Sequence, residues 1–185
     1  MFKDILFALW FFLPAGLANA APVFASRIPK SEKLALPLDF GKSFRGKRIF
    51  GENKTFRGLL AGIIIAEITV GLQRFAYMHN GFFHSISMHI NYGVINIWYL
   101  GFLFAVGALG FDALKSFFKR QFGVKPGGTW FPFDQIDYII GGLLLSSIVV
   151  DLSHLSYYWI GLIWFLIHPM ATFVAWLVGL KDSPI

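Results

Sequence analysis

The chain has 185 residues, of which 56% are hydrophobic and 14% charged, with a formal net charge of +6 and no cysteine. The apolar content and the mean hydropathy of +0.63 lie outside the range of soluble domains, and the lack of cysteine excludes disulfides and thiol chemistry. Several apolar stretches approach the length of about 20 residues that a helix needs to cross a bilayer. The composition therefore predicts an integral membrane protein.

The apolar stretches predict an all-α bundle of five transmembrane helices that forms a single domain over residues 1–185. The predicted spans are about 4–24, 58–76, 94–114, 136–152 and 157–179. No internal repeat or low-complexity segment is present. The first span also resembles a secretory signal with an Ala-Asn-Ala cleavage site. Cleavage there would place both basic loops on the outer face, against the positive-inside rule, so we expect the first span to be retained.

The positive charge indicates topology and not nucleic-acid binding, because it gathers in two loops. Nine of the sixteen Lys and Arg residues fall between Arg27 and Arg57, and four more follow the third span. By the positive-inside rule, loops 27–57 and 115–135 are predicted to be cytoplasmic. The N-terminus is then outside, the C-terminus is cytoplasmic, and the protein is a multi-pass protein of the cell membrane. Interfacial aromatic residues at the predicted outer ends agree (Tyr77, Trp98, Tyr99, Tyr157, Tyr158 and Trp159).

A stripe of polar residues ends the third span in "FDALKSFFKR". Asp112, Lys115, Ser116 and Lys119 share one helical face, because residues three and four apart are neighbours. Lys119 and Arg120 alone would serve as membrane anchors, with Asp112 as a partner for Lys115 or Ser116. An acid near hydrocarbon costs roughly 3 kcal/mol unless a cation or a cavity compensates it, which favours a polar site.

Two further carboxylates, Asp134 and Asp137, precede the fourth span in "PFDQID" and fall on one side of a first helical turn. The alternative is capping, with Asp134 as the N-cap and Asp137 interacting with the helix dipole. Close carboxylates repel unless a cation lies between them, and oxygen donors suit Mg²⁺. With Asp112 they predict a magnesium site for phosphoryl or nucleotidyl transfer. The phosphate counter-charges would be Lys119, Arg120 and Lys125.

The long basic loop "PLDFGKSFRGKRIFGENKTFRG" combines glycine with Lys and Arg, as a triphosphate or an anionic headgroup would require. A solvated loop that touches anionic lipid is the alternative. No Walker motif or G-x-G-x-x-G is present. A strip of small residues, Gly58, Gly62 and Ala66, is interpreted as packing within the bundle, with a homodimer as the alternative.

These motifs resemble the CDP-diacylglycerol synthase superfamily of membrane CTP-dependent cytidylyltransferases. The matching signature is Asp, Ser-x-x-Lys-Arg, Lys and Asp-x-x-Asp, which covers Asp112, Ser116, Lys119, Arg120, Lys125, Asp134 and Asp137, together with "NKTFRG" at 53–58. The small size and "LPAGLANAAP" are closer to the archaeal branch, the CDP-archaeol synthases. Lys125-Pro126, "TWFPF" and Gln135 depart from the bacterial pattern, which leaves the lipid substrate open.

The resemblance implies transfer of CMP from CTP to an isoprenoid ether-lipid phosphate, 2,3-bis-O-geranylgeranyl-sn-glycerol 1-phosphate, giving CDP-archaeol and pyrophosphate. The expected catalytic residues are Asp112, Ser116, Lys119, Arg120, Asp134 and Asp137, and the three aspartates are expected to hold Mg²⁺. The expected nucleotide-binding residues are Asn19, Asn53, Lys54, Thr55, Arg57 and Lys125. The alternatives are a phosphatidate cytidylyltransferase, a CTP-dependent polyprenol kinase, a small ion transporter using Glu67, Asp112 and Asp151, and a structural membrane subunit.

Overall fold

The computed structural model describes residues 1–29, 31–125 and 128–180. Within these ranges the chain forms the helices α1 Phe2–Ala25, α2 Phe56–His79, α3 Gly81–Ile86, α4 Ile97–Gln121, α5 Phe133–Ser146 and α6 His154–Leu177. The connection between α1 and α2 carries a short 3₁₀ helix, Glu32–Leu34, and an antiparallel hairpin of β1 Ser43–Phe44 and β2 Lys47–Arg48. In the hairpin Ser43 pairs with Arg48 and Phe44 pairs with Lys47.

Four helices, α1, α2, α4 and α6, have 24 or 25 residues and are long and apolar enough to cross a membrane. The prediction of an all-helical membrane bundle is therefore confirmed, with the small hairpin as an unpredicted addition. The predicted span at 136–152 is instead the 14-residue helix α5, which is about 21 Å long. The hydroxyls of Ser146 and Ser147 donate hydrogen bonds to the carbonyls of Leu143 and Leu144, and β-branched residues follow, which favours the end of the helix here. The apolar sequence continues for several residues after the helix has ended.

The helix α4 continues beyond the predicted span 94–114 and ends at Gln121. It therefore includes the stripe at 112, 115, 116 and 119, which we predicted to share a helical face, and the first part of the predicted cytoplasmic loop 115–135. The polar side chains of this last part point into an ion-pair cluster between helices, so the helix does not have to end where the hydrocarbon ends.

Polar side chains fix the starts of three long helices. Thr55, Asn96 and Ser153 are the N-caps of α2, α4 and α6, and the side chain of each accepts a hydrogen bond from the backbone N–H group three residues on, at 3.1 to 3.2 Å. A cap of this kind satisfies one of the N–H groups that a helix start leaves unpaired. This matters in a membrane, because no water is there to satisfy it.

The helix α1 lies at the centre of the bundle and contacts α2, α4, α5 and α6. Phe7, Phe11 and Phe12 are fully buried, and Trp164 of α6 donates from Nε1 to the Ala8 carbonyl at 3.0 Å. The segment that resembled a cleavable signal is thus part of the hydrophobic core.

The helices α4 and α5 approach each other through glycine. A Cβ at Gly107 would overlap the Gly141 carbonyl, and a Cβ at Gly141 would overlap the Gly107 carbonyl and the Phe111 ring. Because both positions lack side chains, the two backbones come into contact and hold the following residues of α4 against the first turn of α5.

Contacts between the helix ends define the chain directions. Arg27, after α1, donates from Nη2 to the Gly179 carbonyl after α6 at 2.5 Å, and Lys119 near the end of α4 contacts Asp134 at the start of α5. Gly58 at the start of α2 lies against Pro22 near the end of α1, and Lys54 just before α2 pairs with Asp112 of α4. Thus α1, α4 and α6 end, and α2 and α5 begin, at the same end of the bundle, which we term the charged end.

Candidate active site

A cavity of about 350 Å³ opens at the charged end. One side, which we term the helix wall, is formed by Lys115, Ser116, Lys119 and Arg120 of α4. The other side, the loop wall, is formed by residues of the turn 48–54 before α2: Arg48, Phe50, Gly51, Glu52, Asn53 and Lys54. Five of these ten residues carry a positive charge and only Glu52 a negative one, so the cavity suits a polyanion.

Behind the helix wall lies an ion-pair cluster centred on Lys115. Its Nζ is 2.9 Å from Asp112 Oδ1, 3.0 Å from Asp134 Oδ1 and 2.8 Å from Asp137 Oδ2. The four side chains are only 7 to 18% exposed. Three carboxylates from two helices therefore converge on one cation.

Two more lysines complete the cluster. Lys54 of the loop wall forms an ion pair with Asp112, and Lys119 Nζ lies 3.0 and 3.1 Å from the two oxygens of Asp134. Lys119 also donates to the Gly128 carbonyl at 2.5 Å. Three ammonium groups thus face three carboxylates, which compensates the cost of placing either kind of charge in a partly buried position.

Asp134 is not the N-cap of α5, so that part of the capping alternative is wrong. The N-cap is Pro132, and Asp134 lies in the first turn, where its Oδ2 accepts from the Trp130 N–H at 2.5 Å. The reason is that proline precedes Phe133 and fixes the chain entry, while Lys115 and Lys119 hold the carboxylate toward α4.

Asp39 organises the loop wall. Its buried carboxylate accepts from the N–H groups of Gly41, Phe50 and Gly51, each at 3.0 Å, and from Arg48 Nη2 at 2.8 Å. Burial alone would raise the pKa of the Asp39 carboxyl, but Arg48 and these backbone donors outweigh it and hold that pKa well below its usual range. Asp39 thereby fixes Arg48 and the turn at 50–51 where they line the cavity.

The hairpin docks the loop wall on α4. Lys47 Nζ donates to the Gln121 carbonyl at 2.7 Å, and the Phe44 and Phe117 rings are 5.8 Å apart. Arg45 and Gly46 both adopt positive φ, 52° and 76°, as a two-residue hairpin turn requires. These contacts position the loop over the end of α4.

A second, much smaller cavity of about 30 Å³ lies beside the first, toward the bundle interior. It is lined by Pro22, Leu38, Asn53, Lys54, Thr55, Gly58, Leu59, Leu109 and Asp112. Asn53 and Lys54 line both cavities, whereas Asp112 lines only the smaller, mostly apolar one. A charged compartment and an apolar one therefore meet at Lys54 and its partner Asp112.

The structure brings together most of the predicted site residues. Asp112, Lys119, Asp134, Asp137 and Lys54 form the cluster, while Ser116, Arg120 and Asn53 line the cavity. Ser116 Oγ donates to the Asp112 carbonyl at 2.9 Å, and Thr55 caps α2, so both hydroxyls already have a partner.

Three predicted nucleotide-binding residues do not line either cavity. Arg57 donates from Nη1 to Ser31 Oγ at 3.0 Å, Asn19 lies within α1, and the Lys125 side chain is exposed while its carbonyl accepts from Arg120 Nη2 at 3.2 Å. Arg57 follows the N-cap of α2, so its direction is set by that helix and not by the preceding turn.

Sequence reasoning did not assign three residues that the structure places at the site: Lys115, Asp39 and Arg48. Lys115 was treated only as a partner for Asp112. The isolated acid Asp39 in a basic, glycine-rich loop was a usable signal, since a lone carboxylate among turn glycines often binds backbone N–H groups.

The three aspartates suit a hard divalent cation in their chemistry, since carboxylate oxygens are preferred by Mg²⁺ and three of them already converge on one point. Within the described residues, however, no group of three or more Asp, Glu or His side chains forms a metal site as it stands. The ammonium of Lys115 lies at the point of convergence.

Helices of membrane-crossing length with a cation-lined cavity and clustered carboxylates at one end define a membrane-embedded enzyme whose site suits phosphate-bearing substrates. A family model described as "CarS-like: CDP-archaeol synthase" matches residues 1–185, so the chain belongs to the CDP-archaeol synthase family.

Relatives and a solved structure agree with this assignment. The chain is 34% identical to a CDP-archaeol synthase of Methanocaldococcus jannaschii over 98% of both chains, and 34% identical to one of Thermofilum pendens over 95% of this chain and 78% of that one. A solved structure described as "Structural insight into an intramembrane enzyme for archaeal membrane lipids biosynthesis" superposes with a TM-score of 0.69 at 28% identity, covering 90% of this chain and 93% of that one.

Proposed function

We propose that this member of the CDP-archaeol synthase family transfers CMP from CTP to an archaeal isoprenoid ether-lipid phosphate in the cavity at the charged end, giving CDP-archaeol and pyrophosphate. The lining of the cavity supports this location for the reaction, because five cations surround a space of about 350 Å³ next to three clustered carboxylates. A triphosphate requires this density of positive charge.

In the reaction, an oxygen of the lipid phosphate forms a bond to the α-phosphorus of CTP, and the bond from that phosphorus to the oxygen bridging to the β-phosphate breaks. The lipid phosphate is an anionic nucleophile at neutral pH, so no strong base is required. The protein must hold the two substrates in line and neutralise the leaving pyrophosphate. We assign this neutralisation to Lys119, Arg120 and Arg48, with Ser116 and Asn53 as hydrogen-bonding contacts.

Asp112, Asp134 and Asp137 would hold Mg²⁺. When bound, Mg²⁺ would supply charge neutralisation at the phosphate oxygens. Lys54 connects the nucleotide-binding turn to these carboxylates, because its backbone belongs to the loop wall and its ammonium group pairs with Asp112.

The two compartments suit two substrates of different solubility. The charged cavity would receive CTP, and the smaller space between α1, α2 and α4, lined by Pro22, Leu59 and Leu109, would admit the lipid phosphate from the bilayer. The phosphate would then reach the nucleotide at the meeting point beside Asp112.

The charged end would face the cytoplasm. Both basic loops lie there, as the positive-inside rule requires, and CTP is a cytoplasmic metabolite. Because α1 and α6 run in the same direction, α5 and the following residues 147–153 must lead the chain back across the bundle. We therefore retain five crossings, with the N-terminus outside, although α5 is short.

No observation favours the alternatives in the same way. Glu67, Asp112 and Asp151 do not form a continuous polar path: Glu67 packs against Gly101, Asp112 lies in the ion-pair cluster, and Asp151 is exposed. Gly58 and Gly62 face Pro22, Ala18 and Leu109 of the same chain, which is the packing role predicted for the small-residue strip and leaves the homodimer a proposal without a mapped surface.

The test is pyrophosphate release from CTP by the purified protein, supplied in parallel with the diether isoprenoid phosphate and with a diacyl phosphatidate. We expect release with the diether lipid and Mg²⁺, and loss of nearly all turnover in Asp134→Asn and Asp137→Asn while the protein still assembles. Release of CDP would instead indicate a kinase, and preference for the diacyl lipid a phosphatidate cytidylyltransferase. Full activity in both variants would contradict the metal role.

A further inference from the structure

Lys115 differs from the other cations of the cavity in the number of carboxylates with which it forms ion pairs. Its Nζ lies 2.8 to 3.0 Å from an oxygen of each of three carboxylates. Lys54 contacts one carboxylate, and Lys119 contacts one carboxylate and a carbonyl. Lys115 is thus paired with all three carboxylates of the cluster, although it also lines the cavity.

The position of the Lys115 ammonium is also where the three aspartates could bind a divalent cation. Two cations cannot both stay there, because like charges a few ångströms apart repel strongly in a partly buried site. A metal that enters must therefore take Lys115's carboxylate partners, and Lys115 must find another anion or be left without one.

A phosphate bound in the cavity would supply that anion. Lys115 and Ser116 are adjacent in the helix wall, and Lys119 and Arg120 lie one turn further along. The flexible four-carbon stem of lysine can turn its ammonium from the carboxylates toward this space without moving α4. A nucleotide phosphate held by Lys119 and Arg120 would then be within its reach.

We propose that Lys115 is an exchangeable internal counter-ion: it neutralises Asp112, Asp134 and Asp137 when the cavity is empty, and it transfers to a nucleotide phosphate when a divalent cation takes the carboxylates. Lys115 is thus a substrate-binding residue only in the loaded enzyme. The exchange couples the two ligands. The metal separates Lys115 from its carboxylates, and the nucleotide phosphate gives Lys115 a new partner, so each ligand favours the binding of the other. The inference rests on the metal role given above.

The experiment measures Mn²⁺ binding to the full-length protein in detergent without nucleotide, from the loss of the free-ion electron paramagnetic resonance signal. Lys115→Met removes the charge and keeps the length of the side chain. Lys42→Met, at an exposed position of the loop outside the cavity, removes the same charge elsewhere. We expect Lys115→Met to bind Mn²⁺ roughly tenfold more tightly than the unmodified protein, because a competing charge has gone. We expect Lys42→Met to be unchanged.

Two further measurements keep the test decisive. The gain should disappear in Lys115→Met combined with Asp137→Asn, and Mn²⁺ alone should raise the melting temperature of Lys115→Met more than that of the unmodified protein. If Lys115→Met does not assemble, Lys115→Gln replaces it. Unchanged or weaker Mn²⁺ binding in the variant, while the unmodified protein binds Mn²⁺, would overturn the counter-ion inference alone. Absence of Mn²⁺ binding in every variant, and of any Mn²⁺ dependence of CTP binding, would overturn the metal role as well.

Discussion

The helix wall of the cavity is positioned by direct backbone contact between α4 and α5 at Gly107 and Gly141, whereas the loop wall is positioned by hydrogen bonds to the single buried carboxylate of Asp39. The first kind of support is part of the hydrophobic bundle. The second lies in the connection before α2, where polar contacts around Asp39 shape the loop and a few contacts dock it on the end of α4. A defect in the first should damage the whole protein, while a defect in the second should damage substrate binding and leave the bundle intact.

The largest effect is expected on the helix wall. Gly107→Ala places a methyl group on the Gly141 backbone, which cannot move aside as a side chain can, so α4 and α5 must separate. We expect a loss of stability of about 1–3 kcal/mol and loss of nearly all activity. The measurements are the melting temperature in detergent and CTP-dependent pyrophosphate release.

The matched control is Gly110→Ala, three residues further along α4. A Cβ at Gly110 would contact nothing within 4 Å, so this variant should be as stable as the unmodified protein or slightly more stable. Equal behaviour of the two variants would show that the glycine contact does not support the helix wall.

The second largest effect is expected at the ion pair between Lys54 and Asp112, which links the two walls. Lys54→Gln removes the ion pair with Asp112, leaving a partly buried carboxylate with one partner fewer, and removes a cation from the cavity. We expect kcat/KM for CTP to fall by roughly 100-fold, as expected for a charged hydrogen bond lost in a buried site.

Arg57→Gln removes a cation three residues away and serves as the comparison, because Arg57 contacts Ser31 and not the cavity. Its kcat/KM should change by less than about fivefold, because the part-buried hydrogen bond that it loses lies outside the cavity. A loss as large as that of Lys54→Gln would restore Arg57 as a nucleotide-binding residue.

The loop wall alone is tested by Asp39→Asn. The amide has one acceptor oxygen, and its NH₂ group would face the N–H groups that now bond the carboxylate. We expect KM for CTP to rise by roughly 10-fold or more, from the loss of several charge-assisted bonds, with little change in melting temperature.

Glu32→Gln makes the same chemical change at an exposed position of the same connection and should leave KM unaltered. If Asp39→Asn lowered the melting temperature as much as Gly107→Ala, the loop would contribute to the stability of the bundle. The two walls would then not differ in the way proposed.

The smallest effect is expected where the loop touches α4 at the surface. Lys47→Met removes one exposed hydrogen bond, at 2.7 Å, from the hairpin to the Gln121 carbonyl. We expect KM for CTP to rise about twofold to threefold, because exposed contacts contribute little. The measurement is initial-rate kinetics at varied CTP.

Local sequence rules were sufficient for the stripe on α4. Positions 112, 115, 116 and 119 share a face on any α-helix, so their convergence followed from spacing. The contact between Asp134 and Lys119 could not be predicted from spacing, because it depends on how α4 and α5 pack against each other. Nothing in the sequence period indicates that Gly107 and Gly141, 34 residues apart, are in contact.

Other differences have equally local causes. Hydropathy measures apolar content and not hydrogen bonding, so the serines that end α5 were included in a longer span. The loop wall depends on positive-φ glycines at 41 and 51, whose N–H groups bond the Asp39 carboxylate, and on the hairpin turn at Gly46. The glycines and the lone acid Asp39 were visible in the sequence, but which N–H groups bond the Asp39 carboxylate depends on the folded loop.

The central position of α1 has a consequence for how the protein is made. A chain enters the membrane in order from its N-terminus, so the central helix α1 meets lipid before the helices α2, α4, α5 and α6 that pack against it. Its final neighbour, Trp164 of α6, is synthesised more than 150 residues after Ala8. Phe11 and Phe12 gain the Phe104 ring of α4 earlier, and Phe12 gains the Trp164 ring only with α6. The burial of α1 is therefore completed in steps, the last of them after α6 has been made.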